Sequence, residues 1–278
     1  MNAITKAILL AIISLSCTSF LPPRLTWVAI GDSITYLNDH PNETGNRITK
    51  GYLTMVTERL PHITYINQGH NGWTAGGIAD KFDQLNITKA DIYSVFLGTN
   101  DWWQGREPGT MKDYLSASGN ATVSGSFRII IDKLKHLNPN ARFILMTPLQ
   151  RGDFVYLNNS HNNAWGSYRP NKNGQMLEAI VRVIDSIARH EKFELIDLYH
   201  NSGINLKNMV HFKLLKDSTT GATQKLTWPA YRDKPWNPAN DAYPYPPEAI
   251  WMTYDGLHPS DEGYKAITKM LVKVMKRY

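Results

Sequence analysis

The sequence predicts an α/β protein: a three-layer α/β/α sandwich around a central five-stranded parallel sheet. Three observations carry that reading. Five short segments rich in apolar and β-branched residues recur along the chain, segments with helical spacing separate them, and polar, glycine-rich clusters follow three of the strand candidates directly. Strands separated by helices need crossover connections, and these lay helices on both faces of a parallel sheet.

The elements follow in order. Arg24 to Ile30 is a short apolar strand, Thr49 to Leu60 a helix, and His62 to Asn67 a second strand by its alternation. A helix spans Thr74 to Leu85, and Asp91 to Leu97 is the third strand. Ser124 to Leu137 repeats apolar residues at helical spacing, and Ala141 to Met146 is strand-like. A helix from Asn173 to His190 and a strand from Phe193 to Leu198 complete the alternation. The last helix has its own start signal: Ser260 as cap, Asp261 and Glu262 at its positive end, then a stripe of Tyr264, Ile267, Leu271 and Val274. Between Leu198 and Asp255 no period emerges. That stretch, which includes Trp228, Trp236 and the run from Tyr243 to Pro247, is too aromatic to stay in water and reads as an ordered rim to a site.

Whole-chain properties narrow the class. A chain of 278 residues, 42% apolar and 19% charged, is that of a globular protein. The domain reading is one domain over residues 24–278 with an aromatic-rich insertion at about 199–254. Eight Trp and fourteen Tyr serve a well-packed core first and a groove second. A formal charge of +6 favours acidic partners at long range, but Lys and Arg are scattered, so nucleic acid is not an expected partner. Residues 1–20 have the form of a secretory signal: Lys6, an apolar run from Ala7 to Leu15, then small residues. The single cysteine, Cys17, excludes an intramolecular disulfide and leaves two outcomes open, an N-terminal lipid anchor or simple secretion. After Pro23 no run is long and apolar enough for a transmembrane helix.

In an open parallel sheet, ligands collect at the carboxyl ends of the strands. The polar clusters fall there: Gly31-Asp32-Ser33 after the first strand, Asn67 to Gly72 after the second, Gly98-Thr-Asn-Asp101 after the third. Asp255 and His258 precede the last helix, where the returning chain crosses the same edge. A neutral serine needs an imidazole to take its proton, and the imidazole needs a carboxylate to fix its tautomer. Acyl transfer also needs donors for the developing oxyanion, which the Gly72 N–H, the Asn100 amide and the Ser33 N–H can supply.

The four blocks, in this order, resemble those of the GDSL or SGNH hydrolases, with Ile34 where the family's name implies leucine. The resemblance implies a flavodoxin-like SGNH fold and an ester hydrolase without cofactor or metal. It makes Ser33 the nucleophile, Asp255 and His258 its partners, and Gly72 and Asn100 oxyanion donors beside Ser33. Trp73, Trp102 and Trp103 follow the oxyanion residues and are candidate substrate contacts, as is Arg151 beyond the fourth strand. Expected substrates are small-molecule or polysaccharide esters, with deacetylation of a carbohydrate favoured. Lipase, lysophospholipase and thioesterase activities belong to the same resemblance, and a carbohydrate-binding protein that has lost turnover is the non-enzymatic alternative.

Taken singly, each motif has a plainer reading. Gly-Asp-Ser is a common turn, Asp255 and His258 a helix-entry pair, Gly72 a tight turn and Asn100 an Asx-turn. The other histidines show no metal-ligand spacing, and neither His-Glu-x-x-His nor Gly-x-Ser-x-Gly occurs.

Overall fold

The computed structural model describes residues 23–278; the proposed signal segment and Cys17 lie outside the described residues. The expected sheet is present. Strands β1 (Leu25–Gly31), β2 (Ile63–Gly69), β3 (Ile92–Phe96), β4 (Arg142–Met146) and β5 (Glu194–Ile196) form one five-stranded sheet in the order β2-β1-β3-β4-β5. Every neighbouring pair is parallel. The order reverses between β1 and β3, so the chains leaving those two strands diverge and open a crevice at the carboxyl edge.

Successive side chains of a strand point to opposite faces, and each face of this sheet has its own core. Trp27 and Ala29 of β1 join one core with helix α2 (Tyr52–Arg59) and the terminal helix; Val28 and Ile30 join the other. The second core is covered by α3 (Ala75–Lys81), α5 (Val123–Leu137) and α6 (Leu177–Glu191). Two short helices, α1 (Ser33–Tyr36) and α4 (Thr99–Trp103), begin at the crevice, and α7 (Asp261–Met275) closes the chain. Trp27 could not be buried with its indole N–H unpaired, and Ser94 on the adjacent strand accepts it at 2.8 Å.

Local capping starts four helices. Asp32, Thr74, Thr122 and Ser260 accept from the N–H groups of Ile34, Gly77, Gly125 and Gly263, at 3.0, 2.9, 3.1 and 3.3 Å. Two expected starts shift inward. Helix α2 begins at Tyr52 because the distant Asn38 side chain caps it, accepting from Leu53 and Thr54 N–H at 2.8 and 3.1 Å. Helix α6 begins at Leu177 because Asn171 binds the N–H groups of Asn173 and Gln175 instead, holding them in a turn.

The stretch from Leu198 to Asp255 is ordered around an antiparallel pair, Lys213–Lys216 with Thr223–Leu226. Its aromatic residues Tyr231, Trp236 and Tyr245 form a separate cluster with Val155. This stretch does not line the cleft that holds Ser33, but Lys213, Pro235 and Trp236 line a smaller cavity that shares Trp103 and Phe154 with it. Tyr245 and Tyr243 donate to the carbonyls of Asp153 and Val155 at 2.5 and 2.9 Å, bracing a second segment that does reach the crevice. Lys213 anchors the same point: its ammonium lies 2.9 Å from Asp153, whose carboxylate also accepts from Tyr168 Oη at 2.6 Å and Gly166 N–H at 3.0 Å. Both ionic side chains are buried.

Breaking a buried pair from one side leaves the other charge uncompensated. Lys213→Met is therefore expected to lower unfolding free energy by about 3 kcal/mol or more in urea denaturation. A loss below about 1 kcal/mol, the range of exposed pairs, would show that Asp153 is not held by this contact.

Candidate active site

Ser33 opens α1 directly after β1, with Asp32 as its cap. On the other side of the crevice, Asp255 and His258 lie in the turn before α7. Gly256 between them has φ +88°, and a Cβ there would stand 1.9 Å from the Asp153 carbonyl, so a side chain at this position would force the turn apart. The turn is also tied from outside: Gly152 N–H donates to the Gly256 carbonyl at 2.8 Å, and Thr253 donates to the Met209 carbonyl through both N–H and hydroxyl, each at 2.8 Å.

This folding brings Ser33, His258 and Asp255 into one chain of contacts. Ser33 Oγ is 2.8 Å from His258 Nε2, and His258 Nδ1 is 2.6 Å from Asp255 Oδ2. The other carboxylate oxygen accepts from Leu257 and His258 N–H at 3.0 and 2.7 Å, so Asp255 is buried but fully engaged. The imidazole sits between aromatic walls, stacked on Tyr254 (5.7 Å between centroids) and edge-on to Phe154 (5.5 Å). These walls leave the ring little room to leave the serine.

Facing Ser33 are Gly72 and Asn100. Gly72 adopts φ +73° with open space where a Cβ would be, and Gln104 Nε2 holds its carbonyl at 3.2 Å. The Asn100 amide donates one N–H to the Trp73 carbonyl at 3.0 Å, which leaves its second N–H for a ligand. Among the described residues, neither the Gly72 N–H nor the Ser33 N–H donates to a protein acceptor. Asp101 braces this side from below: buried, it accepts from Ala75 N–H at 2.8 Å, with Arg106 Nε in contact at 3.1 Å but outside hydrogen-bond alignment. Burial raises its pKa.

Ser33, Gly72, Asn100 and His258 share a cleft of about 390 Å³ with Asn71, Gln104, Trp103, Arg151, Phe154, Tyr156 and Asn162. Of the four candidates for substrate contact, two line this cleft, Trp103, which is 38% exposed, and Arg151. Trp102 does not line the cleft: it is buried in the second core with its indole N–H donating to the Gln175 carbonyl at 2.8 Å. Trp73 packs against that core and stacks on His70, also outside the cleft lining. Sequence reasoning missed Phe154, Tyr156 and Asn162, whose segment after β4 carries no period and is fixed by Asp153 and Ser167. The one local signal is Arg151-Gly-Asp153 itself, a polar cluster after the fourth strand like those after the first three.

A hydroxyl, an imidazole and a carboxylate in series, facing unpartnered N–H donors at the carboxyl edge of a parallel sheet, form the kind of site found in acyl-transferring hydrolases. The chain belongs to the GDSL-like lipase/acylhydrolase family, whose model matches residues 29–266, and is a serine hydrolase of that general esterase type. A possible lipase from Chitinophaga pinensis DSM 2588 is 56% identical, with a TM-score of 0.89 over 91% of this chain and 98% of that one. Two remoter structures share the fold. A Lactobacillus plantarum protein is 18% identical with a TM-score of 0.61 over 93% of this chain and 99% of the other. An acetyl xylan esterase, AlAXEase, is 19% identical with a TM-score of 0.52 over 89% and 98%. No curated protein matches the chain.

Asp32 gives the site a pH signature. Burial, opposed in part by the Ile34 N–H and by His258, raises its pKa from 3.8 to about 6. Between those values the unfolded carboxyl ionises while the folded one keeps its proton, so this group's contribution to stability falls as pH rises from about 4 to about 6. The fall is on the order of 3 kcal/mol. Asp32→Asn keeps an acceptor for Ile34 and has no proton to lose. Its unfolding free energy, relative to the parent, is expected to rise by that amount across the window in denaturant titrations; a pH-independent difference would contradict a raised Asp32.

Proposed function

We propose that the protein is a serine esterase that works through an acyl-enzyme, with Ser33 as nucleophile, His258 as general base and acid, and Asp255 as its orienter. The observation that carries this reading is the contact chain of 2.8 and 2.6 Å beside unpartnered N–H groups. Ser33 Oγ attacks the ester carbonyl while His258 Nε2 takes the hydroxyl proton, and Asp255 stabilises the resulting imidazolium. The carbonyl oxygen, now an oxyanion, accepts from the Ser33 and Gly72 N–H groups and from the Asn100 amide. Collapse breaks the bond to the alcohol oxygen, which leaves with the proton from His258. Water then attacks the acyl-Ser33 carbonyl, giving its proton to His258, and the second collapse frees the acid and returns the proton to Ser33. The sum is ester plus water to acid plus alcohol.

For the substrate, the cleft lining favours an acylated carbohydrate, above all an acetylated one. Besides Asn100, three carboxamides, Asn71, Gln104 and Asn162, offer donors and acceptors suited to hydroxyl groups, and the Trp103 face is open for a sugar ring to stack on. A smaller cavity of about 220 Å³ adjoins, sharing Trp103 and Phe154 and adding Trp165 and Trp236. Export, by a cleaved segment over residues 1–20 or by a lipid on Cys17, and a single domain over residues 24–278 belong to the same proposal. Among the described residues no helix is long and apolar enough to cross a membrane.

The relative described as a possible lipase makes the lipase reading the one to exclude. Turnover of an acetylated sugar is compared with that of long-chain acyl esters, using Ser33→Ala as the blank. Higher kcat/KM on the acetyl ester, abolished in the blank, is expected. A preference for long chains would overturn the carbohydrate reading, and activity surviving in Ser33→Ala would overturn the nucleophile.

A further inference from the structure

The ester-cleaving steps leave one cleft residue without a task. Arg151 is 1% exposed, yet among the described residues no group accepts a hydrogen bond from its guanidinium, and its Nε is buried without a partner. Its surroundings explain how it is held but not what it pairs with. The guanidinium carbon stands 5.4, 5.6 and 5.6 Å from the ring centroids of Trp102, Trp103 and Phe154, an aromatic cradle that favours a cation.

The nearby carboxylates are spoken for. Asp255 serves His258 and two backbone N–H groups, Asp153 serves Lys213, Tyr168 and Gly166, and Asp32 caps α1. Their fields keep the cation charged, with burial lowering its pKa only to about 10, but none supplies a hydrogen bond. A charged fork of N–H donors held this deep without a protein acceptor is rare. Its Nε is shut off, while the Nη donors reach the cleft and are open to an acceptor that enters it.

The guanidinium fork matches a planar carboxylate, which accepts two parallel hydrogen bonds where a single hydroxyl oxygen offers no such paired geometry. The Phe154 ring lies 5.6 Å from the Arg151 guanidinium carbon and 5.5 Å from the ring of His258, the group that would protonate the departing alcohol. An anion carried on the alcohol half is the one this neighbourhood suits. The net charge of +6 favours the approach of such a substrate.

We propose that Arg151 binds the carboxylate of a sugar acid whose acylated hydroxyl is presented to Ser33, so that the preferred substrate is an O-acylated acidic sugar and not its neutral counterpart. The proposal rests on the serine-esterase reading and is tested so that the two can fail separately. Turnover of p-nitrophenyl acetate by the unaltered enzyme reports the esterase alone. With that in hand, kcat/KM is measured on O-acetylated galacturonate and glucuronate against acetylated galactose and glucose. A preference of at least about tenfold for one acidic ester is expected, as removing one charge-assisted pair costs more than about 1.4 kcal/mol, a factor of ten.

In Arg151→Met the acidic-to-neutral ratio is expected to fall to about one, a ratio measured within one preparation and so independent of how much of it folds. In the unaltered enzyme, free galacturonate or glucuronate should compete with p-nitrophenyl acetate where galactose, glucose and inorganic phosphate do not. Equal rates on acidic and neutral esters, a preference that survives in Arg151→Met, or competition by phosphate but by neither uronate would each overturn the assignment.

Discussion

The contact of 2.8 Å between Ser33 and His258 joins residues 225 positions apart, and much of the architecture can be understood as what holds that contact. A parallel sheet delivers all its carboxyl ends to one edge, and its order reverses between β1 and β3, so Ser33 and Asn100 face each other across the opening. The histidine arrives from elsewhere, on the turn before α7. That helix is locked to the serine helix by Tyr264, whose hydroxyl donates to the Ile34 carbonyl at 2.9 Å. Ser33 and His258 thus ride on elements that are bonded to each other behind the site.

Polar burial around the site follows one logic. Asp255, Asp101 and Asp153 are all buried, and each has specific partners: N–H groups and an imidazole for the first, an N–H and the nearby charge of Arg106 for the second, an ammonium, a phenol and an N–H for the third. Each carboxylate fixes a different wall. Asp255 orients the histidine, Asp101 the start of α3 beneath Gly72 and Asn100, and Asp153 the segment that brings Arg151 and Phe154 forward. Such networks cost stability when any member is lost and favour a single geometry when complete. Arg151 departs from that logic, being buried and charged with no acceptor, which is why it draws attention to the ligand.

Much of this was legible in the sequence, for local reasons. The sheet could be read because each strand is a short apolar run and each helix repeats its apolar stripe. The starts of α3 and α7 could be read because Thr74 and Ser260 are caps within their own segments. The blocks around Ser33, Gly72, Asn100 and His258 sit at strand ends or before the last helix, so topology alone predicts that they meet. What escaped depends on distant partners. Asn38 sets the start of α2, and Lys213 sets the position of Asp153, 60 residues away, without either leaving a periodic trace. The aromatics between Leu198 and Asp255 signal burial but not against what: Tyr231 and Tyr245 pack on the back of the segment that lines the cleft, and of the cluster only Trp236 also reaches the adjoining cavity.

The account depends on Ser33 being activated by His258, and covalent labelling tests this without a choice of substrate. The unaltered protein and His258→Gln are treated with a fluorophosphonate probe, and the modified peptide is mapped by mass spectrometry. Labelling at Ser33, slowed by roughly 100-fold or more in the variant, is predicted for a hydroxyl that needs a general base. A probe found on another residue, or a Ser33 labelled equally fast without the imidazole, would contradict it.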